Sequence, residues 1–111
     1  MWNKAEDSLP KLKNKKDSIP VFVILETTSE LGTAYSFSVA SYEWNSQYLP
    51  DLNIFSSKLK RCFRIEAGDQ FFAFFEPDYH LGNDNYNTDN TIVYWMLRSD
   101  LELPEGIILE E

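Results

Sequence analysis

The chain offers one thiol and one imidazole, Cys62 and His80, the smallest set from which a Cys-His nucleophile and base can be built. Cys62 has Lys60 and Arg64 two residues to either side; on a strand both cations share its face and would lower the thiol pKa. No orienting base stands nearby, so a small, half-buried sheet residue is the simpler account of Cys62. His80, within Glu-Pro-Asp-Tyr-His-Leu-Gly, makes a zinc site only if Asp and Glu supply the remaining ligands, and a surface-loop histidine is the expectation.

Asn83, Asn85, Asn87 and Asp89 alternate as the oxygen ligands of a calcium loop do. Thr88 stands where that loop needs glycine and Tyr94 where it needs a bidentate Glu, so a turn-rich loop explains the asparagines better. Glu76 and Asp78 form a carboxylate pair, but acid-base work needs one of them in an apolar pocket, and acids are dense here. The glycines, at 32, 68, 82 and 106, are too scattered for a phosphate loop or a dinucleotide fingerprint. No catalytic residue, metal or cofactor is expected.

Charge is more informative. The net charge is -8, yet residues 1–16 hold five lysines against Glu6 and Asp7, a balance of +3. Residues 65–111 hold eleven acids against Arg98, a balance of -10. Such a surface repels nucleic-acid phosphate and speeds encounter with basic partners. Lys58 to Arg64, with Phe63 and Ile65 on the opposite face, could mark a nucleic-acid strand; the overall charge argues instead that Lys60 and Arg64 pair with acids on a neighbouring strand.

The elements that must position these groups read mainly as β-strands. Residues 21–25 are apolar on both faces, and residues 33–42 alternate, with Tyr35, Phe37 and Val39 on one face and Ala34, Ser36, Ser38 and Ala40 on the other. The short connection at 29–32 predicts a hairpin between them. Residues 59–66 alternate again, residues 67–69 make a turn, and residues 71–75 follow as a second hairpin. A short helix capped near Asp51 is expected after Pro50, a polar loop over 77–90, a strand over 91–97, and a short sixth strand over 107–109.

The expected fold is therefore α+β, mainly β: a five- or six-stranded antiparallel meander, strongly curved or covered by one or two short helices. Residues 1–18 read as a lysine-rich arm or short helix, and 19–111 as a single globular domain. Apolar residues make up 43% and aromatics 15%, enough to order such a chain. One cysteine excludes an internal disulfide, no N-x-Ser/Thr sequon occurs, and the longest apolar run is six residues; a cytoplasmic chain that does not span a membrane is expected.

These features favour a non-enzymatic inhibitor of a basic protein, most naturally an immunity protein or antitoxin that neutralises a nuclease-type toxin. Its profile resembles bacterial immunity proteins and phage anti-defence proteins in type, without a motif belonging to one family. The partner-binding residues would be Glu76, Asp78, Tyr79, Asp84, Tyr86 and Asp89, acids imitating phosphate spacing with tyrosines as rigid contacts. One alternative is a ligand-binding or enzymatic curved sheet with a pocket at Phe72, Phe74, Tyr94 and Trp95. Another is a phage accessory protein acting by self-association or nucleic-acid mimicry.

Overall fold

A computed structural model describes residues 1–83, 87–102 and 104–107. Seven strands form: β1 (Asn3–Lys4), β2 (Ser18–Ser29), β3 (Gly32–Leu49), β4 (Ile54–Ala67), β5 (Gln70–Phe75), β6 (His80–Asn83) and β7 (Thr88–Leu97). All pairings are antiparallel, in the order β1-β7-β2-β3-β4-β5-β6. β6 also pairs with β7, from His80↔Thr91 to Asn83↔Thr88, so the pairing leaves β7, passes through five strands and returns to it.

Both expected hairpins are present. Ser29 faces Gly32 across a two-residue turn, and Ala67 faces Gln70 across Gly68 and Asp69, where Gly68 takes the positive φ (67°) that such a turn favours. Among the described residues the strand count is seven instead of five or six, because two short strands add to the five expected: β1 forms within the arm and pairs with β7, and β6 lies inside 77–90 and pairs with the start of β7. The expected helix after Pro50 is also absent. β3 and β4 extend to a turn at residues 50–53, closed by Leu49↔Ile54 and by the edge-on rings of Tyr48 and Phe55, and Asn53 supplies its positive φ (54°). The only helical element among the described residues is a three-residue 3-10 turn, Arg98–Asp100. Ile107 is not in a strand, and the rest of the expected sixth strand lies outside the described residues.

The core sits on the inner face. Tyr42, Phe63 and Tyr79 pack as an aromatic triangle with ring centroids 4.7, 5.1 and 6.0 Å apart, joined by Val21, Val23, Ile92 and Trp95. Ile92 and Trp95 are three apart and would point to opposite faces of a regular strand. A register shift against Ile24 and Leu25 inserts Val93 as an extra residue, and this bulge turns both side chains inward. The Val93 carbonyl accepts the Ala5 N–H at 3.0 Å. The arm is thereby tied to β7: Ala5, Leu9 and Leu12 pack on the core, and the Trp95 indole donates to the Ser8 carbonyl at 2.8 Å.

Alternation in β3 is present as expected, but its faces are set from the other end of the strand. Tyr42 belongs to the core, and the residues sharing its face are Ala40, Ser38 and Ser36. Tyr35, Phe37 and Val39 therefore point outward.

Candidate protein-binding surface

Cys62 is fully buried between Glu43 and Phe75 on the flanking strands, and burial pushes its thiol up to about 12. At neutral pH it is a protonated thiol, unlike a catalytic or sensing thiolate. Of the two cations expected to activate it, Arg64 is otherwise engaged. Arg64 binds Glu66 on its own strand at 2.6 Å, rather than an acid on a neighbouring one, and lies over the Phe71 ring. His80 opens β6 and is held 2.9 Å from Asp89 on β7. Among the described residues, no group of three His, Cys, Asp or Glu side chains could hold a metal ion. No helix among them is long and apolar enough to cross a membrane.

Four of the six residues singled out for partner binding are among the described residues. Glu76 is engaged by Arg61: its carboxylate accepts the Arg61 backbone N–H at 2.7 Å and the guanidinium at 2.9 and 3.2 Å. Those bonds hold its carboxyl below the ordinary value. Tyr79 is only 4% exposed; its φ of 51° turns the ring into the core, where its hydroxyl meets that of Tyr42 at 2.7 Å. Burial raises the pKa of both phenols. Asp78 and Asp89 face solvent, while Asp84 and Tyr86 lie outside the described residues.

A different surface assembles on the outer face of β2, β3 and β7. The register sets Phe22 beside Val39 and Met96, Ile24 beside Phe37 and Tyr94, and Glu26 beside Tyr35. Tyr35, Phe37 and Val39 are 63%, 60% and 48% exposed. Phe37 stacks on Phe22 at 5.3 Å and takes the Trp2 ring edge-on at 6.4 Å, so the arm extends the patch. Contiguous apolar surface of this kind, rich in aromatics, is characteristic of interaction sites.

This face runs into a groove of about 540 Å³ lined by Tyr35, Tyr94, Glu26, Glu6, Asp78 and Lys4, among others. Three acids oppose one lysine there, and the Tyr35 hydroxyl donates to Glu26 at 3.1 Å. Sequence reasoning named only Asp78 of these acids. Glu6, Glu26 and Asp78 come from the arm, β2 and the β5–β6 turn, and no local spacing links them.

A second concavity, about 630 Å³, opens between the ends of the β2–β3 and β4–β5 hairpins and is lined by Leu25, Ile65, Phe72, Phe74 and Leu81 with Ser38 and Asn90. It divides the aromatic pocket read from the sequence: Phe72 and Phe74 line it, Trp95 is in the core, and Tyr94 is on the outer face. No protein-family model matches the chain, and comparison with curated proteins and with solved structures finds no match.

Proposed function

We propose that this chain is a non-catalytic binding protein that docks on a basic protein through the acidic groove and the aromatic face beside it. The observation that carries this reading is the meeting, in one groove, of Glu6, Glu26 and Asp78 with Tyr35 and Tyr94, continuous with exposed Phe37 and Val39. Carboxylates at a rim steer a cationic partner and set the rate of encounter, while exposed aromatics supply the contact that holds it. In its finer form the reading is an inhibitor of the immunity or antitoxin kind whose target is a nuclease-type toxin, since a nuclease cleft is built to receive negative charge.

The test is capture from host lysate with wild type and with the Glu26→Lys, Asp78→Lys double variant side by side, followed by one-to-one titration of the protein retained. A basic protein held by wild type, shed at raised salt and lost from the variant supports the reading. Equal retention by both chains moves the interface elsewhere.

The cleft between the two hairpin ends favours a second reading, a small apolar ligand gripped by Phe72 and Phe74. A ligand-dependent rise in melting temperature, abolished by Phe74→Ala, distinguishes it.

A further inference from the structure

β3 is paired with β2 from Gly32 to Glu43, but with β4 only from Ser41 to Leu49. Over residues 32–40 it is an edge strand. In an antiparallel ladder successive residues turn their N–H and C=O groups to opposite sides. Ser29 and Gly32 close a two-residue turn and face each other as a hydrogen-bonded pair, so Gly32, Ala34, Ser36, Ser38 and Ala40 use their groups on β2. Thr33, Tyr35, Phe37 and Val39 turn theirs to the open side. Among the described residues, none of these four makes a backbone hydrogen bond outside the ladders, and the Val39 carbonyl takes a 3.4 Å contact from the Ser38 hydroxyl.

Edges of this length are ordinarily blunted by a lysine, a proline, a bulge or a covering element. Among the described residues this one has none of them. Residues 31–42 contain neither a charge nor a proline, although a quarter of the chain is charged. The β2–β3 register crosses them without a bulge, and residues 32–37 are all exposed.

We infer that this edge pairs with the same edge of a second copy, antiparallel about a two-fold axis near Ser36 and Phe37. Charge selects that occupant. Two chains of net charge -8 meet at least electrostatic cost where neither presents a charge, and a basic partner gains no attraction from a neutral edge. Geometry selects it too. The residues with free backbone groups are those whose side chains point outward, so self-pairing must set outer face beside outer face. Tyr35, Phe37 and Val39 of one copy then continue the aromatic face of the other, and the serines and alanines meet their like. The contact is isologous and closes as a dimer.

The inference is independent of the basic-partner reading, and salt separates the two: raised ionic strength tightens a dimer of acidic chains and loosens a complex with a basic protein. The test is sedimentation of the full chain from low to high micromolar concentration at low and high salt, with amide hydrogen exchange at each end of the range. A dimer is expected that tightens with salt and protects the amides of Thr33, Tyr35, Phe37 and Val39 at high concentration. Val39→Lys and Phe37→Lys, each with its melting temperature measured to confirm folding, are expected to weaken it by about tenfold or more. A chain that stays monomeric, a dimer whose edge amides exchange as fast as the monomer's, or folded lysine variants that dimerise like wild type would each overturn the inference.

Discussion

Two aromatic groups of similar composition lie on opposite faces of the sheet and meet at β3. Tyr42, Phe63 and Tyr79 are enclosed on the inner face, and their two hydroxyls satisfy each other at 2.7 Å. Trp2, Phe22, Tyr35 and Phe37 gather on the outer face, and only Phe22 is well buried. The inner group gains its burial within the chain and so belongs to the stability of the fold. In the outer group Tyr35 and Phe37 leave most of their surface in water, a surface that folding alone does not use and a partner can.

The largest effect that separates the two regions is cavity formation. Phe63→Ala is expected to cost about 3–5 kcal/mol, read from denaturant unfolding, because the triangle has no solvent-side room to collapse. A loss as small as that of a surface substitution would show the inner group to be loosely packed. Next comes the hydroxyl pair. Tyr42→Phe leaves the Tyr79 hydroxyl buried without its partner and is expected to cost about 1–3 kcal/mol. Tyr35→Phe, whose bond to Glu26 lies in water, should stay within about 0.5 kcal/mol. Equal costs at the two sites would erase the contrast.

A smaller effect than that of the hydroxyl pair concerns the ion pair at the boundary of the core. Arg61 holds the Glu76 carboxyl below its ordinary value of 4.5, so the pair stabilises the fold above that value and loses its contribution as pH falls through the lower folded one. With the Arg61 side chain 41% exposed, solvent screening keeps the contribution below about 1 kcal/mol. The stability difference between wild type and Glu76→Gln should therefore be present at pH 7 and shrink as the pH falls below 4.5. A difference that grows on acidification would contradict the pairing.

The fold was partly legible in the sequence. Gly32 and Gly68 punctuate alternating segments, and both hairpins follow from them. β6 escaped because it is four residues long and sits among Asn, Asp and Gly, which read as loop. The helix expected after Pro50 rested on Pro50 and Asp51 as a start signal, and the same residues serve the turn between β3 and β4.

The site was less legible for two physical reasons. Alternation shows which residues of β3 share a face, but which face turns inward is decided by Tyr42, eleven residues from Leu31 at the hairpin tip, and by its fit to Phe63 and Tyr79. Tyr79 stands between acidic and polar neighbours and reads as a surface residue; a left-handed backbone angle, costing about 1–3 kcal/mol and offset by burial, takes it inside. The groove joins Glu6, Glu26 and Asp78 through the ties to β7 of the arm, of β2 and of the β5–β6 turn, the last by the Ile92 N–H donating to the Tyr79 carbonyl.

The most direct test of the division between the two aromatic groups is one experiment on the Tyr35→Ser, Phe37→Ser double variant: its melting temperature and its retention of the captured partner, each set against wild type. A melting temperature within about 4 °C of wild type, together with loss of the partner, is the predicted result. A fall as deep as that of Phe63→Ala would mean that the outer aromatics hold the fold together and are not a surface kept for a partner.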